Sequence, residues 1–458
     1  MPNHTEGKRG LSLAQLQADV RQGDIDTVIV AITDMQGRLV GKKIHARFFL
    51  DEIAANGAEA CSYLLAVDVD MNTVDGYDIS SWESGYSDFV MMPDLSTLRY
   101  IPWQAATAFV MADVLLADSS PVSVSPRQIL KRQLQRLGES DLSALCATEL
   151  EFIVFDNSFE DAWKRGYRDL TPANLYNVDY SIIGVSRIES LLREIRLSMV
   201  GANMEVESVK GECNLGQHEI VFRYDDPLIT CDNHVLFKTG AKEIASKHSK
   251  SLTFMAKVNE REGSSCHTHL SIRGVDQTLR MVDSNDSGRL SEFGESFLAG
   301  QLEHLRELTL LMAPNINSYK RFVSGSFAPT AIAWGRDNRT CAMRLIGKGK
   351  GLRIENRVPG GDANPFLVVS AMIAAGLDGV ERGLKLPDEF IGNAYVGDSK
   401  RVPSTLLEAR DLFAESEFCR GAFGEDVVKH YTNMADVELA AFSKVVTDWE
   451  LVRSFERM

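Results

Sequence analysis

The chain has 458 residues, 44% hydrophobic and 25% charged, which is ordinary for a soluble protein and enough to bury the cores of two or three domains. Its formal net charge of −15 works against broad binding to nucleic acid or an anionic membrane, because both partners would be repelled. The seven cysteines are scattered, odd in number and without a CxxC pair, so they read as reduced thiols of a cytoplasmic protein.

Met1–Gly10 is polar and basic, unlike a signal peptide. Leu11–Gln22 has the apolar spacing of a short amphipathic helix, and Thr27–Thr33 is an apolar, β-branched strand. Asp34-Met35-Gln36-Gly37 is a turn, after which Arg38–His45 returns as the second strand of a hairpin. Phe48–Asn56 is expected to be helical, and Phe89–Met92 and Ala108–Met111 are further strands of a small mixed sheet. Ser119-Ser120-Pro121 through Ser125-Pro126 is the best boundary signal, dividing the chain into 1–118 and 119–458.

Beyond it, Pro126–Leu137 reads as a helix capped by Ser125. Strands over 145–155, 202–209, 217–224, 252–257, 265–273, 339–345 and 351–358 are interspersed with helices over 184–199, 231–248, 290–311, 363–381 and 404–415. The clustering of the strands favours an α+β fold with a curved antiparallel sheet. The longest apolar run, Pro365–Leu377, is broken by Ser370 and is shorter than the roughly 20 residues that span a bilayer.

The chemistry lies in the alternation of charge along the strands. Side chains turn over with a period of two, so Arg353, Glu355 and Arg357 share one face, as do Glu149 and Glu151, and His267 and His269. A buried structural face would carry apolar groups instead. Three such strands read as walls of a metal and nucleotide site, and the chain as an ATP-using enzyme. A divalent ion serving phosphates takes hard oxygen ligands with at most an imidazole or so, which selects Glu149, Glu151, Glu212, Glu219, His267 and Glu355. Taken singly, each glutamate is more often a solvated edge residue and His267 a satisfied core histidine; the alternation reverses those odds. Arg321, Arg339, Arg344, Arg353 and Arg357 supply guanidinium forks suited to phosphate and carboxylate oxygens. Gly347-Lys348-Gly349-Lys350-Gly351 is a basic loop without the order of a P-loop, and GxGxxG and GxSxG elements are absent.

Glu149-Leu150-Glu151, Gly211-Glu212, Gly216-Gln217-His218-Glu219, Phe254-Met255-Ala256-Lys257, His267-Thr268-His269-Leu270-Ser271, Asn317-Ser318-Tyr319-Lys320-Arg321, Asn338-Arg339 and Arg353-Ile354-Glu355-Asn356-Arg357 resemble the glutamine synthetase family, bacterial type I. These motifs fall in the family's order over nearly the whole chain. The resemblance implies a β-grasp N-terminal domain, a larger catalytic domain, and a dodecamer of two stacked hexameric rings with active sites between neighbouring subunits. It implies ATP and two or more Mg²⁺ or Mn²⁺ ions, one held by Glu151, Glu212 and Glu219, the other by Glu149, His267 and Glu355. Arg321 and Arg357 would clamp glutamate, with Gly263 near its amino group. Arg339 and Arg344 would face the transferring phosphoryl group. Glu207, Tyr224, His269, Ser271 and Arg353 would bind ATP.

Two departures bear on the substrate. Ammonia-using members carry a glutamate in the flap after the Asn317–Arg321 motif, whereas here Phe327 takes its place within Val323–Pro329. The Asp-Gly-Ser-Ser element that serves ammonium is replaced by Asp68–Tyr77. Phenylalanine neither holds an ammonium ion nor takes its proton, but suits the carbon skeleton of an amine. The pattern resembles the glutamate–amine ligase branch, which joins the glutamate γ-carboxylate to alkylamines such as isopropylamine, ethanolamine or polyamines. The alternatives are a γ-glutamylpolyamine synthetase, with Asp68, Asp70 or Asp75 receiving a second ammonium, an ordinary ammonia-using enzyme, and a non-catalytic relative, which the intact ligand set disfavours. Glu262 stands where the family usually has asparagine beside the substrate amino group.

Overall fold

The structure, a computed structural model, describes residues 10–458; the polar opening Met1–Arg9 lies outside the described residues. The described residues form two sheets joined by one continuous apolar core. The first is built from β1 (Thr27–Thr33), β2 (Leu39–His45), β3 (Ala58–Cys61), β4 (Asp88–Pro93), β5 (Arg99–Tyr100) and β6 (Thr107–Leu115). Its order is β2-β1-β6-β4-β3, with β5 on β6, and its central pair β1–β6 is parallel while the others are antiparallel. The expected hairpin is present, with Thr27 opposite His45 and Thr33 opposite Leu39. Asp34 closes its turn, its buried Oδ1 accepting from the amides of Gln36 (3.0 Å) and Arg38 (2.8 Å).

The second sheet comprises β7 (Leu142–Phe155), β8 (Val206–Gly211), β9 (Gln217–Phe222), β10 (Ser251–Thr253), β11 (Cys266–Gly274), β12 (Ala331–Arg336), β13 (Cys341–Ile346) and β14 (Arg353–Asn356). Its order is β12-β13-β14-β11-β7-β9-β8, with β10 on β7. This curved sheet is antiparallel except for β12 and β13, which run parallel. The helices Pro126–Glu139, Pro227–Lys247 and Pro365–Glu381 pack behind it. Buried Arg127 ties the first sheet to a helix behind the second, its guanidinium meeting Asp94 (2.7 Å) after β4, Asp113 (2.6 Å) on β6 and Asp232 (2.9 Å) on Pro227–Lys247. Asn364, at the cap of Pro365–Glu381, donates to the Asp34 and Met35 carbonyls of the hairpin turn.

Several expectations shift. Ala331–Arg336 is a strand although its alanines and glycine carry little β signal. The strand placed at 202–209 is Val206–Gly211, and Arg357 lies just past the end of β14 rather than within it. The single helix expected over 290–311 is two, Glu292–Glu303 and Leu305–Met312, broken at His304, whose Nε2 meets Asp378 Oδ2 at 2.6 Å. Ser125 occupies the cap position of its helix but makes no side-chain cap bond. Helices Glu417–Phe423 and Glu425–Phe442, separated by Gly424 at φ +98°, extend the fold past the last helix anticipated. Among the described residues no helix is long and apolar enough to cross a membrane.

Candidate active site

The strand register assembles the ionisable groups. Glu151 on β7 lies opposite Glu219 on β9, and Glu149 lies opposite His267 on β11. His269 on β11 is opposite Glu355 on β14, which in turn is opposite Arg344 on β13. Residues directly across a ladder point to the same side, so one face of five strands carries a continuous ionic band. That band, His269 excepted, lines a cavity of about 600 Å³, whose walls also include Glu212, Gly263, Arg321, Arg339 and Arg357.

Glu151, Glu212 and Glu219 bring ligand oxygens within 4.8 Å of one another. Burial pushes the Glu219 carboxyl up to about 8, and repulsion from Glu149, Glu151 and Glu355 adds to this against the opposing pull of Lys210. Lys210 donates to Glu212 and stands 3.7 Å from Glu219 Oε1. Glu151 is aimed by three donors: Gln217 Nε2 (2.8 Å) and the Ser265 amide (2.9 Å) on Oε2, and Ser265 Oγ (2.6 Å) on Oε1. The all-oxygen donor set of this acidic group fits Mg²⁺ or Mn²⁺.

A second group lies beside it. His267 Nδ1 is 3.7 Å from Glu149 Oε2 and 3.5 Å from Glu355 Oε1. His269 Nε2 is 3.0 Å from Glu149 Oε1, so Glu149, His269 and Glu355 also cluster within 4.8 Å. The two imidazoles are separated by what else they touch. Arg353 Nε donates to His269 Nδ1 (3.3 Å), while His269 Nε2 is buried near Glu149 without a hydrogen-bond partner. His269 thus stands beside Glu149 through Nε2, and His267 stands beside Glu149 and Glu355 through Nδ1. Burial opposes the charge on Glu149, but His267 and His269 hold its carboxyl well below the usual range. Burial likewise opposes charge on Glu355; His267, Arg357, His269 and Arg344 outweigh it.

Glu355 links this group to the arginines, Oε2 accepting from Arg344 Nη1 (2.9 Å) and Oε1 from Arg357 Nη1 (2.6 Å). A carboxylate has about four acceptor positions, so both contacts leave room for an ion. Arg357 Nε is buried without a hydrogen-bond partner. Arg321 is more committed than its role as a clamp suggested, since Nη1 and Nη2 hold the Val358 (2.8 Å) and Arg357 (3.0 Å) carbonyls. Arg339 is exposed where the cavity meets a smaller hollow lined by Arg336 and Glu389. Gly263 is obligatory: a Cβ there would come within 2.3 Å of the Ala256 carbonyl and 2.9 Å of Arg321 Cγ.

A second chamber of about 260 Å³ adjoins the first and shares Glu149, Val221 and Arg353 with it. Glu207, Tyr224, His269 and Ser271 line this chamber together. Arg273 and Lys350 line it too and had not been singled out. Arg273 continues the period of two from His267 through Ser271, and Lys350 belongs to the basic glycine loop, so both signals were present in the sequence. Lys210, Gln217 and Ser265 were also missed; only contacts across the fold reveal them. Phe327 lines the main cavity, half exposed, with its carbonyl accepting from Arg357 Nη2 (3.3 Å). Asp68–Tyr77 does not line the cavity within one chain; it rests on Glu425–Phe442, where Asn433 donates to the Asp75 carbonyl (3.0 Å).

The glutamine synthetase catalytic domain family matches residues 123–454. The chain is 59% identical to the γ-glutamylethanolamide synthetase GlnA4 of Streptomyces coelicolor, over 98% of this chain and 96% of that one. It is 36% identical to a glutamate–isopropylamine ligase of a Pseudomonas species, over 95% and 96% of the two chains. A solved GmaS–ADP complex superimposes with a TM-score of 0.84 at 28% identity, covering 96% of this chain and 99% of the other. The chain belongs to the glutamine synthetase family.

Proposed function

We propose that this member of the glutamine synthetase family, standing in its glutamate–amine ligase branch, joins the γ-carboxylate of glutamate to a small primary amine at the expense of ATP. Among small amines, ethanolamine is the first choice because the relative at 59% identity is named for that product; an alkylamine such as isopropylamine is the second. The observation that carries the reading is the phenyl ring of Phe327 on the wall of a cavity whose lining is rich in carboxylates and arginines.

The reaction follows from the two chambers. ATP lies against Glu207, Tyr224, His269, Ser271 and Arg353, so its γ-phosphate enters the ionic cavity. Arg321 and Arg357 hold glutamate, with its amino group near Gly263. The glutamate γ-carboxylate attacks the γ-phosphorus, ADP leaves, and γ-glutamyl phosphate forms. The amine then attacks the acyl carbon, phosphate departs, and the amine gives up a proton. Arg339 and Arg344 spread the charge that develops on the transferring phosphoryl oxygens. Glu151, Glu212 and Glu219 would hold one divalent ion and Glu149, His267 and Glu355 another. Such ions neutralise charge on phosphate oxygens.

The division at 118/119 separates the first sheet from the ATP and metal site. Exposed Ile182, Ile183, Trp449, Val452 and Phe455 offer apolar surface that assembly into a dodecamer would cover. The free cysteines accord with a cytoplasmic location. The deciding measurement is phosphate release with ATP, Mg²⁺ or Mn²⁺ and glutamate against ethanolamine, alkylamines, diamines and ammonia, with the product identified by mass. A γ-glutamyl amide of a small monoamine supports the reading; glutamine formed from ammonia at equal efficiency refutes it.

A further inference from the structure

Residues 388–402 cross over β12 and β13 as an irregular strap. One anchor is Asn338, whose Nδ2 donates to the Phe390 (3.2 Å) and Gly392 (2.9 Å) carbonyls. A second is Thr340 Oγ1, which accepts from the Ala394 amide (2.9 Å), and Ala394 is buried in a small core with Ala331, Ala333 and Cys341. Arg401 fixes the far end, donating to Thr330 Oγ1 (3.3 Å) and the Gly397 carbonyl (2.7 Å).

Between these anchors the half-buried Tyr395 donates its hydroxyl to the Ala328 carbonyl at 3.1 Å. Ala328 directly follows Phe327, and Ser326, Phe327 and Ala328 all line the main cavity. Phe327 holds φ +59°, a region bulky residues avoid, so this turn needs external contacts to stay in place. Ser326 Oγ donates back to the Arg321 (3.3 Å) and Val323 (2.6 Å) carbonyls, and two contacts reach the turn from distant segments: Arg357 Nη2 on the Phe327 carbonyl and Tyr395 on the next one. The first comes from the proposed glutamate clamp. The second comes from a strap anchored to the residue before Arg339.

We propose that Tyr395 is a positioning residue for the acceptor step, latching the Ser326–Ala328 turn over the cavity so that Phe327 excludes water and admits the amine. The assignment of an amine acceptor rests on the function proposed above; the latch itself does not. Water attack at the acyl carbon of γ-glutamyl phosphate would return glutamate and phosphate, a net hydrolysis of ATP. A loosened flap therefore shows itself as phosphate released without amide formed.

The test is Tyr395→Phe in the full-length protein, which keeps the ring and removes only the hydroxyl. Hydrogen–deuterium exchange of the free protein needs no substrate and reads the latch directly. Loss of one hydrogen bond should speed exchange at 325–330 by about fivefold to tenfold, with β11 unchanged. With ATP, glutamate and amine, phosphate released per amide formed should rise above the wild-type ratio, and the amine KM should rise more than the ATP KM. Unchanged exchange at 325–330 overturns the latch. Faster exchange with the wild-type phosphate-to-amide ratio overturns its role in excluding water. If wild-type protein makes no amide from any amine, the proposed function fails, while the exchange measurement still decides the latch.

Discussion

His267 lies directly across the β7–β11 ladder from Glu149, with its Nδ1 3.7 Å from Glu149 Oε2 and 3.5 Å from Glu355 Oε1. One imidazole nitrogen thus faces two carboxylates from two different strands. The arrangement depends on register, since a slip of one residue would turn each of these side chains to the opposite face. His267, Arg357, His269 and Arg344 together keep Glu355 charged against its burial, which is the state an ion requires.

Glu355→Ala should therefore remove a metal ligand and strand two guanidinium groups together. Phosphate release should fall by at least about 100-fold, with Mn²⁺ affinity weakened in parallel. Steady-state assays and Mn²⁺ titration of a variant with wild-type circular dichroism are the check. Near-normal turnover in such a protein would exclude Glu355 from the site.

Gly263→Ala tests the glutamate side of the cavity. The added methyl meets the Ala256 carbonyl at 2.3 Å, so the loop must move, and Arg321 moves with it. Misplacement on the ångström scale should lower kcat/KM for glutamate on the order of 100-fold. Nucleotide affinity should be nearly unchanged, because the chamber containing Tyr224 and Ser271 is not lined by Gly263. Calorimetry with ADP and with glutamate separates the two effects.

The site was more legible than its supports. Period-two charge placed Glu149, Glu151, His267, His269 and Glu355 on common faces because backbone geometry alone fixes that pattern. The contact that Arg353 makes with His269 from another strand was not legible, because it depends on the pairing of β11 with β14. The dual commitment of Arg321 to backbone carbonyls was hidden for the same reason. In the fold, the hairpin Thr27–His45 was readable from β-branched residues and a turn, both local signals. β12 was not, because its strand state comes from pairing with β13 rather than from its own residues.

His430 predicts how acid acts on the fold. It is buried beside Tyr77 (ring centroids 4.6 Å apart) and against Met35 Sδ, and burial holds its pKa down to about 3 despite Asp426 and Asp78. The unfolded chain takes up this proton near pH 6.5, well before the folded one does. Stability from this site is therefore complete above about pH 6.5 and declines as pH falls toward 3. At pH 5 the loss should be about 2 kcal/mol. His430→Leu should be less stable at neutral pH yet show a shallower drop in unfolding midpoint between pH 7.5 and 5. Equal drops in the two proteins would show that His430 titrates normally.

Phe327 carries the acceptor prediction. Its ring lines the cavity and is half exposed, so an amine entering beneath it would cover apolar surface that ammonia leaves bare. Each CH₂ buried in this way contributes about 0.8 kcal/mol, so two or three should favour a small primary amine over ammonia by on the order of tenfold or more. That preference must be measured at equal concentrations of unprotonated base. The rate should rise with pH toward the amine's own pKa, because the flap offers no carboxylate to take the proton. Phe327→Glu retains the backbone carbonyl that Arg357 holds, so the turn keeps that anchor while its side chain changes from apolar to anionic. The variant should lose most of the amine preference and gain some use of ammonia, limited because Asp68–Tyr77 still replaces the element that serves ammonium. Competition assays with ethanolamine and ammonia, products separated by mass, read both effects. A Phe327→Glu protein with wild-type selectivity would remove this side chain from the acceptor site, and the preference would have to arise elsewhere in the cavity.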